Sequence, residues 1–291
     1  MSLKLLSNSK CFEGEQRIYE HKSAVTNSDM KFGVFMPPCA LRKQNSPVLF
    51  FLSGLGASHE NFIHKSGMQR YATQHGIIVV NPDTSPRNVE PTAAADNSGY
   101  LGPGAGFYVD ATQPPWCRHY QMYSYVSQEL PQLIADNFPI LSDKMGIFGD
   151  SMGGHGALVC ALRNPTKFKS ISVFEPVANP TCSKIAQLVF AAYLGQDRLK
   201  WSEYDATCLA QQYEGPKMEI LYEQGSADEF YDQGELLPEN LLKAAKENGN
   251  INIIYKLREG YSHGSMFVKT FIEEHFEHHS KILKANATHK L

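Results

Sequence analysis

Gly149-Asp150-Ser151-Met152-Gly153 is a G-x-S-x-G that follows an apolar run and opens a glycine-rich segment. A serine hydroxyl is a weak nucleophile until a base takes its proton and an acid orients that base. This spacing suits a tight strand-to-helix turn. Small flanking residues let the chain bend sharply, and the hydroxyl is lifted to the N-terminus of the next helix. A plain glycine turn with a hydrogen-bonding serine would show the same five residues. It would not require the strand before them or Gly153-Gly154-His155-Gly156-Ala157 after them. Ser151 is the candidate nucleophile.

On such an elbow the acid follows the serine and the histidine follows the acid. Past His155, which lies inside the elbow helix, the later histidines are His263, His275, His278, His279 and His289. His263 sits in Gly260-Tyr261-Ser262-His263-Gly264, directly after an apolar strand, where a base belongs. Asp228 lies just past another strand and is the candidate acid, with Glu229 and Asp232 as runners-up. An N-cap would also use Asp228. Asp150, beside the serine, is expected to point elsewhere. The tetrahedral intermediate needs preorganised donors for its oxyanion. One is the Met152 N–H. A second comes from the turn Ser53-Gly54-Leu55-Gly56, whose glycines, Gly54 among them, let the backbone approach a substrate.

These residues need strands and helices to bring them together. Short apolar runs bounded by turn residues occur at Pro47–Leu52, Gly76–Val80, Lys144–Phe148, Ser170–Phe174, Met218–Tyr222 and Ile251–Tyr255. Such runs suit strands buried on both faces of a parallel sheet. Helical spacing appears at Met122–Phe138, Gly153–Arg163, Leu236–Glu247 and Ser265–Leu283. Pro131 predicts a kink or break in the first of these. The alternation predicts an α/β fold. No composition shift marks a linker, so residues 1–291 read as one domain, with 284–291 a frayed end. The Gly/Pro-rich segment Thr84–Pro115 reads as an ordered functional loop or a disordered one. Within it, Gly102-Pro103-Gly104-Ala105-Gly106 lacks the Lys-Ser/Thr of a phosphate loop. His275 and His279 are spaced i, i+4 but read as a solvated helix face, not a metal site.

Composition narrows the classes. The chain has 291 residues, 42% of them hydrophobic, and a formal net charge of −3. That apolar content supports a packed core. A near-neutral charge argues against nucleic-acid binding through a broad basic field. No stretch nears the ~20 apolar residues of a membrane span, and Met1–Leu6 has no signal-peptide core. The six cysteines are scattered without a C-x-x-C, so a zinc site has no support, and their even count leaves a disulfide framework open although large folds rarely need one. A reducing, cytoplasmic compartment fits. The sequon Asn286-Ala287-Thr288 carries little weight beside this.

Further segments give the chain a family resemblance. They include Phe51-Leu52-Ser53-Gly54-Leu55, Pro82-Asp83-Thr84-Ser85-Pro86-Arg87, Gly104-Ala105-Gly106-Phe107-Tyr108-Val109-Asp110, Met122-Tyr123-Ser124-Tyr125 and Ser151-Met152-Gly153-Gly154-His155-Gly156-Ala157. Over nearly its whole length the sequence resembles the S-formylglutathione hydrolase (esterase D) family. The resemblance implies an α/β-hydrolase fold and hydrolysis of S-formylglutathione to formate and glutathione, the last step of glutathione-dependent formaldehyde removal. It implies a cytoplasmic enzyme, often a homodimer, with no cofactor and no metal. It assigns Ser151, Asp228 and His263 as the triad and the Leu55 and Met152 amides as oxyanion donors. Trp116, after Pro114-Pro115, is a candidate pocket wall.

The chain departs from the family pattern at several points. The family's Leu-Thr-Cys-Thr is here Leu55-Gly56-Ala57-Ser58, and its Cys-Pro-Trp-Gly stretch is replaced near Thr181-Cys182-Ser183-Lys184. The base is flanked by Ser262 and Gly264, and Asp150 stands where the family often has His. A carboxylesterase or acyl-transfer enzyme for short acyl groups is therefore the second reading. A catalytically weak binding protein is the third.

Overall fold

The computed structural model describes residues 3–89 and 98–285. The sequon at Asn286, His289, nearly all of the terminal segment 284–291 and residues 90–97 of the long loop lie outside them.

The chain opens with strands that the apolar-run pattern did not reveal. These are β1 (Lys4–Cys11), β2 (Gly14–Ser23) and β3 (Ser28–Met36), paired antiparallel. β1 is almost wholly exposed and β2 alternates in burial, whereas Phe32–Met36 of β3 are all buried. A half-solvated antiparallel strand has no continuous apolar run to betray it. The six expected strands follow as β4 (Ser46–Leu52), β5 (Ile78–Pro82), β6 (Ile140–Asp150), β7 (Phe168–Phe174), β8 (Met218–Gly225) and β9 (Ile251–Arg258). All nine form one sheet in the order β1-β2-β3-β5-β4-β6-β7-β8-β9. From β5 onward the pairs are parallel, which makes the fold an α/β-hydrolase one.

The central parallel strands are covered on both faces, while the edge strand β9 alternates in exposure. Val48, Phe50 and Leu52 of β4 enter one core layer, while Leu49 and Phe51 enter the other. That two-sided burial explains why these strands read as unbroken apolar runs. The elbow helix Met152–Arg163 is buried along nearly its whole length.

Pro131 does not break its helix. Residues 122–137 stay helical, with a π-turn over Tyr125–Glu129 just before the proline. Proline cannot bond to the carbonyl four residues back, which is Ser127. The Lys167 ammonium donates to that carbonyl instead. The widened turn and the lysine absorb what the sequence pattern reads as a kink.

The C-terminal helix Ser265–Lys284 corrects another expectation. His275, His278 and His279 are buried, not solvated. The helix packs on the sheet, where β7 offers hydroxyls. His279 contacts Ser170 Oγ at 2.6 Å and Ser172 Oγ at 2.8 Å. His275 Nδ1 lies 2.7 Å from Ser172 Oγ. Burial holds all three imidazoles below their ordinary pKa, as neutral hydrogen-bonded core groups.

Candidate active site

The site is assembled at the carboxyl ends of five neighbouring strands. β4 leads to the Ser53–Gly56 turn, β6 to Ser151, β7 to Glu175, β8 to Asp228 and β9 to His263. Parallel strands place all these ends on one edge, where open α/β sheets bind their ligands.

Ser151 has φ 53° and ψ −120°, a conformation that costs a non-glycine residue roughly 1–3 kcal/mol. Its neighbours make it possible. A Cβ on Gly153 would stand 1.9 Å from the Leu52 carbonyl oxygen, and one on Gly149 would stand 2.4 Å from the Gly153 carbonyl oxygen. Only glycine fits where the elbow crosses β4. The Ser151 N–H is tied to the Phe174 carbonyl at 2.9 Å.

Asp228 is fully buried and serves two purposes at once. Its Oδ1 caps the helical turn Glu229–Asp232 by accepting from the Phe230 and Tyr231 amides at 2.8 and 3.3 Å. Its Oδ2 accepts from His263 Nδ1 at 2.6 Å and from Gln224 Nε2 at 3.0 Å. The cap fixes the carboxylate, and the fixed carboxylate orients the imidazole. Burial pushes Asp228 up, but the hydrogen bond and charge of His263 outweigh it and the net shift is downward. Burial likewise pushes His263 down, and its acidic neighbours reverse this to a net rise. Both directions favour an imidazolium stabilised beside a carboxylate. The Phe230 ring meets the imidazole edge-to-face at 4.9 Å.

The amides of the Ser53–Ala57 segment sort themselves. The Gly54 N–H donates to Asp150 Oδ1 at 3.0 Å, that of Gly56 to the Gly104 carbonyl at 2.9 Å, and that of Ala57 to the Gly54 carbonyl at 3.3 Å. Among the described residues, the Leu55 N–H has no protein acceptor. The Met152 N–H, in the first helical turn, has none either. The turn is braced from behind. The Ala57 carbonyl accepts from Arg87 Nη2 at 2.7 Å and from Thr84 Oγ1 at 2.5 Å, and Asp83 holds Arg87. The glycine-rich run of the long loop supplies Gly104, so its use is to prop this turn.

A cavity of about 480 Å³ opens here, and Gly54, Leu55, Ser151, Met152 and His263 all line it. Asp228 sits behind the imidazole. Asp150 does not point elsewhere: it lines the cavity and fixes Gly54. Trp116 is a correction. It packs against Tyr120 and Tyr193, with ring centroids at 4.9 and 5.1 Å, and does not line the cavity. The wall is formed instead by Phe107, Tyr100 and Leu236, among others. His155 is fully buried, lies 3.0 Å from the Phe107 carbonyl through Nε2, and is pushed by burial to a pKa of about 4. All six cysteines are free.

Sequence reasoning passed over Glu175. It lies just past β7 with Oε2 3.4 Å from His263 Nδ1. Its only sequence signal was position, an acid immediately after a buried strand.

The parallel sheet, the serine elbow and the buried acid–imidazole pair at its edge define a hydrolase of the esterase type. The comparisons are more specific. Residues 23–278 match the family described as "Putative esterase". An S-formylglutathione hydrolase of Rattus norvegicus is 48% identical over 285 residues, which cover 98% of this chain and 100% of that protein. One from Arabidopsis thaliana is 44% identical over 280 residues, covering 96% and 97%. The structure of an S-formylglutathione hydrolase from Agrobacterium tumefaciens superposes with a TM-score of 0.91 at 39% identity, covering 96% of this chain and 99% of that one. This chain belongs to the S-formylglutathione hydrolase family.

Proposed function

We propose that this chain hydrolyses S-formylglutathione to formate and glutathione, with Ser151, His263 and Asp228 as its triad. The observation that carries the residue roles is the 2.6 Å Asp228–His263 hydrogen bond behind a cavity that Ser151 and His263 both line. Ser151 Oγ attacks the thioester carbonyl while His263 takes its proton. Asp228 holds the Nδ1–H tautomer and stabilises the imidazolium. The Leu55 and Met152 amides, without protein acceptors among the described residues, receive the oxyanion. His263 returns its proton to the departing glutathione thiolate. It then activates a water that attacks the formyl-enzyme, and formate leaves with Ser151 restored. No step calls for a metal or cofactor.

The cavity has features that suit an anionic thiol conjugate. Among the described lining residues Lys65 is the only Lys or Arg, beside the acids Asp150 and Glu235, and it is the positive group available to a substrate's carboxylates. The acyl end is small, which matches a turn packed closely by Gly54, Asp150 and Ser151. One sheet carries every proposed site residue, so we read one domain. A cytoplasmic homodimer completes this reading. No described helix is long and apolar enough to cross a membrane.

The test compares kcat/KM for S-formylglutathione with that for a small aryl acetate, in the wild type and in Ser151→Ala. The thioester is expected to be the better substrate, and the variant to lose roughly 10⁶ in kcat. A clear preference for the aryl ester would replace the thioester reading with the short-acyl one. Near-normal turnover by Ser151→Ala would remove the serine from its role.

A further inference from the structure

Two acids, not one, stand at the Nδ1 side of the base. Asp228 follows β8 and Glu175 follows the adjacent β7. Asp228 Oδ2 is 2.6 Å from His263 Nδ1, and Glu175 Oε2 is 3.4 Å from it. The first distance is a short charge-assisted hydrogen bond, and the second lies a few tenths of an ångström beyond one.

Glu175 is also held for the purpose. Its Oε2 accepts from the N–H of Gly264, the residue after the base, at 3.1 Å. Its own N–H donates to the Glu223 carbonyl at 2.8 Å. Its φ of 46° is costly for a glutamate. The side chain is 1% exposed, and among the described residues its Oε1 has no hydrogen-bond partner. A buried, unpaired carboxyl oxygen costs roughly 1–3 kcal/mol. Strain and an orphaned oxygen in one residue, aimed at the base, point to function.

We propose that Glu175 is a second positioning acid, which shares the Nδ1 face of His263 and takes over as acceptor when Asp228 cannot serve. The proposal rests on the triad reading above. Glu175 and Asp228 are thus alternative orienting groups on adjacent strands. The same three residues offer donor atoms within 4.8 Å of one another. A metal needs a free lone pair on Nδ1, and here that nitrogen carries the proton given to Asp228.

The groups facing Glu175 set its charge. Burial pushes its carboxyl up to about 8, and the charges of Asp228 and Asp150 add to this. His263 and the Gly264 N–H work the other way, while the Tyr222 phenol nearby stays neutral. At neutral pH Glu175 is protonated and silent beside ionised Asp228. Removing the Asp228 charge takes away one of the groups that raise Glu175, so it ionises more readily and can accept the Nδ1–H hydrogen bond.

The experiment measures kcat/KM for S-formylglutathione between pH 6 and 9 in wild type, Asp228→Asn, Glu175→Gln and the double variant. Loss of a sole orienting acid costs roughly 10⁴. Asp228→Asn is expected to lose only about 10², and the double variant about 10⁴. Residual activity of Asp228→Asn should also climb with pH in a step that the double variant lacks. Glu175→Gln alone, which mimics the protonated acid, should lose much less at pH 7 than Asp228→Asn does. An Asp228→Asn enzyme already at the 10⁴ loss, with nothing added by Glu175→Gln, overturns the proposal. Wild-type activity in Asp228→Asn together with active Ser151→Ala would instead overturn the triad reading. If Asp228→Asn does not fold, the downfield His263 Nδ1–H proton resonance decides. In wild type it should move with a midpoint near pH 8, as Glu175 ionises, and in Glu175→Gln this movement should vanish. The same movement in both proteins overturns the proposal.

Discussion

Gly104→Ala tests whether a loop 49 positions beyond Leu55 sets the proposed oxyanion donor. Gly104 has φ +87°, and a Cβ there would stand 3.0 Å from Gly56 Cα and 3.3 Å from Gly56 C. Both obstacles are backbone, so no side chain can swing aside. The positive φ costs alanine roughly 1–3 kcal/mol. For a chain of this size that lowers Tm by about 2–4 °C per kcal/mol. The contact then pushes the Gly56 turn away and strains the Gly56 N–H bond to the Gly104 carbonyl, now 2.9 Å. Leu55 moves with the turn. Complete loss of one oxyanion donor costs about 10²–10³ in kcat, or 2.7–4 kcal/mol. A shift of several tenths of an ångström should forfeit part of this, roughly 10–10²-fold in kcat. KM should change little, since the donor acts on charge that appears only in the transition state. Steady-state kinetics on S-formylglutathione with a parallel thermal melt checks both numbers. A variant that melts several degrees lower yet keeps kcat within about threefold would refute the reasoning. It would show that the turn holds its donor without the Gly104 prop.

Two more predictions concern the frame around the site. Lys167→Met leaves the buried Ser127 carbonyl without its partner, and should cost about 1–3 kcal/mol of stability in a urea titration while kcat stays unchanged. A variant as stable as wild type would mean that the π-turn satisfies this carbonyl by other means. The buried histidines set a pH dependence. Folded His279 is neutral, and its pKa is held down by burial, whereas the unfolded chain takes up a proton near pH 6.5. Its contribution to stability is therefore present above pH 6.5 and is lost as pH falls toward the folded value. His279→Gln removes one proton from this linkage. It should flatten the fall in unfolding free energy below pH 6.5 by about 1.4 kcal/mol per pH unit. Parallel slopes for the two proteins between pH 6.5 and 5 would contradict the assignment.

The local pattern carried much of the fold. Central parallel strands buried on both faces leave unbroken apolar runs, and the edge strand β9 still carries its short Ile251–Tyr255 run, so β4 to β9 were legible, each within a few residues of its ends. The elbow was legible because its glycines answer to a local bend and a close crossing. Asp228 and His263 could be chosen by their place after strands, and the structure puts them 2.6 Å apart. Other features have no local signature. β1 lies exposed and β2 alternates in burial, and β3 joins the parallel strands only through the distant β5. The Pro131 helix persists because Lys167, 36 residues away, supplies the missing donor. The histidines of the last helix look like a polar face until β7 brings serines beneath them. Trp116 looks like a pocket wall until Tyr120 and Tyr193 enclose it.

Sequence by itself determined the chemistry available, a serine in an elbow with an acid and a histidine after it in order. It also determined that the near-neutral chain must recognise any anionic substrate through a few local groups. Only the tertiary structure decided which groups those are and how they are held. It set Lys65 on the cavity, Asp150 under Gly54, Gly104 behind Gly56 and Glu175 beside His263. The physical reason is that strand and helix formation depend on neighbours within a few residues. A carboxyl 3.4 Å from an imidazole 88 positions away depends on how adjacent parallel strands end.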